Sequence, residues 1–214
     1  MYCWSRSAAY CIILLGQLSV DLQLRQAKPQ TAQWHNPKIQ AVTVGDFHNY
    51  KQHEHDQLSG AEACIWVLGS AKFGVDVRMD MAMSAVNAFE KMGIGQGRDF
   101  RFVYTSGAFV ERDQSKYLWV LGAGGRRGSV ERARVIGTVD NRVMNLEGKF
   151  DQGWKTFSER PGFVTVREPT LSLVLGNLHI PVGELAAAMV DAAVNGSQKR
   201  ILENAAPRRL GKAA

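Results

Sequence analysis

The stretch YLWVLGAGGRRGSVERARV, residues 117–135, joins an apolar run, a glycine cluster and a segment able to start a helix. Gly122, Gly125 and Gly128 stand in G-x-x-G-x-x-G spacing, which lets a chain turn from strand to helix and bring backbone N–H groups to a phosphate. Two readings follow. Taken alone, the stretch is a phosphate loop with Asp140 as the acidic end of the next strand. Taken with its neighbours, it is a helix interrupted by glycines. Only residues 129–134 separate the last glycine from the next apolar run, too few for the crossover helix of a βαβ unit, and this favours the helix.

Outward from this stretch, short apolar runs alternate with helical patterns, the mark of βα units and a mostly parallel sheet. KIQAVTVGDF (38–47) reads as a strand ending at Gly45-Asp46, HNYKQHEHDQLSG as a polar connection, and ACIWVLG (63–69) as a strand buried on both faces. Over 78–91, Met79, Ala82, Met83, Val86 and Phe89 recur every three or four positions, which predicts an amphipathic helix. FRFVYTSG (100–107) is the next buried strand and finishes in small polar residues. WKTFSERPGFVTV carries a strand into Arg160-Pro161-Gly162, where proline removes a ladder donor and glycine permits a turn. PVGELAAAMVDAAVNG (181–196) is a helix stopped by Asn195-Gly196, and KRILEN adds a last short strand.

A chain of 214 residues with 45% hydrophobic content can bury a sizeable core, and one α/β domain is the default. The formal net charge of +6 is scattered except at Arg126-Arg127 and the tail Arg208, Arg209 and Lys212. That spread suits solubility or an anionic small ligand and argues against a nucleic-acid groove, which needs clustered charge with interleaved aromatics. Cys3, Cys11 and Cys64 share no disulfide or zinc spacing, which points to a reducing, cytoplasmic setting. Near the start, CIILL follows a single Arg in the manner of a leader, but five apolar residues fall far below the roughly 18 that span a membrane, so a strand is the preferred reading and no membrane partner is expected. His48, His53 and His55 lie irregularly on a polar connection and read as solvated.

Several pieces in order resemble the short-chain dehydrogenase/reductase superfamily, specifically its atypical, epimerase-like NAD(P)-binding members. These are NPKIQAVTVGDF, GAEACIWVLG, AVNAF, FRFVYTSGAF, RPG and VGELAAAMVDAAVNGSQKRILEN. The resemblance implies a Rossmann-like, doubly wound sheet over 19–205, with a divergent segment at 1–18 and a loose tail at 206–214. It implies a dinucleotide, NADP or NAD, and a small-molecule substrate. By position, Asp46 resembles the residue that bonds the adenine amino group, and Leu68 and Gly69 the close turn beside the adenosine ribose. Thr105 and Ser106 resemble the strand end facing the nicotinamide, with Ser106 as the catalytic hydroxyl that orients a carbonyl. Arg160, Pro161 and Gly162 resemble the loop that passes the nicotinamide ring. Arg25, in VDLQLRQAKP, falls where members that prefer NADP keep a basic residue; an ordinary surface arginine is the other reading.

The chain also departs from that pattern. Gly16 is the only glycine in residues 1–44, so the usual first β-α unit with its phosphate loop is expected to be missing. An exposed sheet edge would follow, and with it self-association. No tyrosine stands four residues before a lysine: the residues four after Tyr2, Tyr10, Tyr50, Tyr104 and Tyr117 are Arg6, Leu14, Glu54, Ala108 and Leu121. Arg127-Gly128 followed by Glu131 resembles the family's K-G-x-x-E ending, with arginine in place of lysine, suited to a ribose or phosphate rather than to tuning a proton donor. The function expected is therefore that of an NAD(P)-dependent oxidoreductase or epimerase-like enzyme. A catalytically inactive relative, serving as a nucleotide-binding or protein-interaction module, is the alternative.

Overall fold

A computed structural model describes residues 2–6, 9–14, 39–41, 46, 48–67, 75–94, 97–108, 110–115, 127–150, 153–165 and 178–203. The fold is α/β, Rossmann-like, with a mostly parallel sheet. The chain divides into two compact units, Met1–Phe102 with Phe150–Lys155, and Val103–Lys149 with Thr156–Ala214.

The first unit holds β1 (Tyr2–Arg6), β2 (Ala9–Leu14), β3 (Ile39–Ala41), α1 (Gln52–Leu58), β4 (Ala61–Trp66) and α2 (Val75–Lys91), with the opening residues of β5 (Phe100–Thr105) and β6 (Trp154–Arg160). Its strand order is β3-β1-β2-β4-β5-β6. β1 runs antiparallel to β2 and β3, whereas β2 runs parallel to β4. In β4 every residue but Glu62 is buried, as a strand covered on both faces requires. Ala82, Ala85, Val86 and Phe89 form the buried stripe of α2 at helical spacing. Trp154 sits in an aromatic cluster, its ring centroid 4.5 Å from that of Phe100 and 5.9 Å from that of Phe102, and Phe102 in turn lies 6.4 Å from Trp66.

The polar connection expected before β4 contains a short helix instead. α1 has the sequence QHEHDQL, polar except for Leu58, so no apolar periodicity announces it. It is held by its ends: the Lys51 N–H donates to Glu54 Oε2 at 2.7 Å, and Leu58 is fully buried.

The second unit holds the ends of β5 and β6, α3 (Arg127–Met144) with a 3-10 turn at Asn145–Gly148, β7 (Phe163–Thr165), β8 (His179–Pro181), α4 (Val182–Asn195) and β9 (Ile201–Glu203). Its main strands follow the order β5-β6-β9, and β7 and β8 make a separate parallel pair. α4 buries Leu185, Ala188, Met189, Ala192 and Ala193 and stops at Gly196, whose φ of 75° suits glycine. Asp140 is a helical residue within α3 rather than a strand end, so the phosphate-loop reading of the opening stretch is corrected: RVIGTVD continues a helix. The glycine cluster at 122–125 lies outside the described residues, as do the second-strand segment at 20–29 and the tail at 206–214. The expected loss of the first β-α unit likewise falls on 15–38, beyond β2 and outside the description.

Candidate functional site

Two adjacent strand ends build the site. β5 ends at Thr105 and continues as Ser106-Gly107-Ala108; β6 ends at Arg160 and continues as Pro161-Gly162. The Ser106 N–H donates to the Glu159 carbonyl at 2.8 Å and the Ala108 N–H to the Pro161 carbonyl at 2.9 Å. This constant offset means that the two segments run parallel beyond the end of β5. It also sets the register. Between β6 and β9 the Ser158 N–H donates to the Arg200 carbonyl and Ser158 pairs with Ile201. By the same geometry Thr105 stands opposite Glu159, and Ser106 opposite Arg160. Since side chains alternate along a strand, the two pairs occupy opposite faces.

On the face of Ser106 and Arg160, the chain has built a polar layer against α3. Ser158 Oγ donates to Asp140 Oδ1 at 2.5 Å, and Arg112 Nε lies 3.7 Å from Asp140 Oδ2 and 2.6 Å from Asn141 Oδ1. Asn141 Nδ2 returns a bond to the Arg112 carbonyl at 2.8 Å. The 110–112 segment is thereby tied to the helix, and at Gly137 the two backbones approach so closely that a Cβ would overlap the Glu111 carbonyl. Arg160 reaches to both sides: Nη1 pairs with Glu203 Oε1 of β9 at 3.0 Å and Nη2 donates to the Val110 carbonyl in the segment after β5. Its Nε is buried with no hydrogen-bond partner among the described residues, and the same holds for Ser106 Oγ.

On the other face Thr105 Oγ1 lies 3.8 Å from Met189 Sδ of α4. Glu159 is 0% exposed, and neither carboxylate oxygen has a hydrogen-bond partner among the described residues. Burial alone pushes its carboxyl up to about 8, so it is largely protonated at neutral pH. Leu202 stands beside it on β9.

Of the residues singled out in the sequence, Thr105, Ser106, Arg160, Pro161 and Gly162 come together here. Pro161 is buried, and a Cβ at Gly162 would overlap the Leu178 carbonyl, so this loop packs tightly against the chain before β8. Asp46 belongs to the first unit, exposed, where its Oδ1 accepts from the His48 N–H at 2.8 Å and its carbonyl from the Asn49 N–H at 3.1 Å. Arg127 opens α3; its side chain lies outside the description, as do Arg25, Leu68 and Gly69. His179 is buried, with Nε2 2.6 Å from Thr165 Oγ1. Among the described residues no group of three or more His, Cys, Asp or Glu is placed to hold a metal ion. No described helix is long and apolar enough to cross a membrane.

Sequence reading placed Asp140 only as a strand end and missed Ser158 and Glu159. Asp140 shares the buried stripe of α3 with Ala133, Gly137 and Met144, whereas Ser158 and Glu159 stand in a strand of mixed composition, WKTFSER, which does not mark them as buried.

The class defined by these observations is an α/β, Rossmann-like protein whose polar groups gather at the carboxyl ends of adjacent parallel strands, where open sheets of this kind bind ligands. No family model matches the chain, and no curated protein matches it. Among solved structures, it is similar to the oxidoreductase ylbE from Lactococcus lactis, with 19% sequence identity and a TM-score of 0.41 over 63% of this chain and 54% of that one. The chain thus matches about half the length of that structure.

Proposed function

We propose that this chain is an NAD(P)-dependent oxidoreductase or epimerase-like enzyme of the short-chain dehydrogenase kind, working at the carboxyl ends of β5 and β6. The observation that carries this reading is Ser106: a buried hydroxyl with no partner among the described residues, just beyond the end of a parallel strand, where a ligand carbonyl would complete its bonding. Thr105 and the loop Arg160-Pro161-Gly162 border the same strand ends and would flank a nicotinamide. Asp46 would serve the adenine, Leu68 and Gly69 the adenosine ribose, Arg127 a ribose or phosphate, and Arg25 the 2′-phosphate that favours NADP. The dinucleotide, when bound, supplies or accepts hydride. The residues at hand fit its nicotinamide end. They do not reproduce the multi-glycine pyrophosphate turn, since Gly16 is the only glycine in residues 1–44.

The absence of any tyrosine four residues before a lysine favours a second reading, a nucleotide-binding or protein-interaction module without turnover. Titration of the folded protein with NADPH and NADH, read by energy transfer from its tryptophans, separates the two. Saturable binding that is tighter for NADPH and weakened by Arg25→Ala, together with turnover of a carbonyl substrate, supports the enzyme. Binding without turnover across a carbonyl panel supports the module. A folded protein that binds neither dinucleotide overturns the cofactor reading altogether.

A further inference from the structure

Two donors at the same strand ends are buried with no hydrogen-bond partner among the described residues, Ser106 Oγ–H and Arg160 Nε–H. The backbone register sets Ser106 opposite Arg160, on one face of neighbouring strands that lie about 4.8 Å apart. The guanidinium is planar, and its orientation is held at two points: Nη1 by Glu203 on the β9 side and Nη2 by the Val110 carbonyl beyond β5. Nε–H shares an edge of that plane with Nη2, whose partner Val110 lies beyond the end of β5 that carries Ser106. A guanidinium clamped in this way loses little freedom when its last donor is filled, which is how an acceptor oxygen is held best.

We propose that Ser106 Oγ and Arg160 Nε form a two-donor seat for a single sp2 oxygen, that of a carboxylate or a polarised carbonyl on a small ligand. This deepens the reading that Ser106 faces a ligand carbonyl and rests on it. Arg160 supplies the second donor that a tyrosine would otherwise give, and it does so without a proton to release. It stabilises charge on the oxygen but does not protonate it. Arg160 is thus a binding group for the ligand, beyond its tie to Val110 and Glu203.

The test reads the donor directly, in protein labelled with 15N, through the arginine Nε–Hε signals. The Arg160 signal is assigned by its loss in Arg160→Lys. Sodium acetate, titrated against sodium chloride at equal ionic strength, probes the carboxylate source; cyclohexanone probes the carbonyl source. The expected result is a saturable shift of the Arg160 Hε signal with one of the two, at least tenfold weaker in Ser106→Ala at unchanged melting temperature. A signal that moves with neither probe overturns the seat, and so does one that moves equally in Ser106→Ala. NADPH binding with an unmoved Hε signal overturns the seat and leaves the cofactor reading standing. A saturable Hε shift in a protein that binds neither dinucleotide removes the cofactor reading and leaves the seat.

Discussion

Ser158 on β6 donates its hydroxyl to Asp140 on α3 at 2.5 Å, and both side chains are fully buried. Oδ1 takes the serine, while Oδ2 has no hydrogen-bond partner among the described residues and lies 3.7 Å from Arg112 Nε, so this buried carboxylate depends on the donor it has. Removing the serine takes that donor away. Ser158→Ala is expected to lower stability by about 2–3 kcal/mol in urea unfolding. A change below about 0.5 kcal/mol would mean that the bond is dispensable.

Gly137 tests the packing of the 110–112 segment on α3. In a free helix, replacing glycine by alanine stabilises by about 1 kcal/mol. Here the new Cβ would collide with the Glu111 carbonyl, which is backbone and cannot swing aside. Gly137→Ala should therefore destabilise, by roughly 1–3 kcal/mol, and a gain in melting temperature would contradict the close approach.

Glu159 gives the fold a pH dependence of known sign. Its carboxyl is raised by burial from an ordinary 4.5 to about 8, so the folded state holds a proton that the unfolded chain releases. The associated stability is complete below about 4.5 and declines as pH rises toward 8, by up to about 1.4 kcal/mol per pH unit. Glu159→Gln keeps a neutral side chain of similar shape and should remove this slope. Urea midpoints of the two proteins between pH 5 and 8.5 check it; parallel profiles would show that Glu159 does not titrate in that window.

Trp154 is the centre of the aromatic cluster in the first unit, against Phe100, Phe102 and Phe150. Trp154→Ala should cost about 3–5 kcal/mol in unfolding free energy. A loss under 1 kcal/mol would show that the cluster is loosely packed.

Elements that bury an apolar face could be read directly. β4 and β5 are apolar runs broken by Glu62 and Arg101, β6 is read from its run into Arg160-Pro161-Gly162, and α2 and α4 repeat apolar residues every three or four positions. α1 could not, because it holds a place by its capping carboxylate and a single leucine. The 127–144 helix was legible only against its neighbours, since RVIGTV taken alone resembles a strand. At the site, Thr105 and Ser106 are flagged by the resemblance of FRFVYTSG to a cofactor-facing strand end, not by a local pattern. What stayed hidden were partnerships across long separations: Ser158 with Asp140, and Arg160 with Val110 and Glu203. No local pattern specifies which strand end lies beside which. The register that sets Ser106 opposite Arg160 emerges only when β5 and β6 pair.

Ligand binding at the carboxyl ends of β5 and β6 is read out by amide hydrogen exchange with and without NADPH. Peptides covering 104–112 and 160–163 are predicted to gain protection as NADPH saturates, with the response at 104–112 reduced by Ser106→Ala. Exchange in both segments that is unchanged at saturating NADPH would contradict the account.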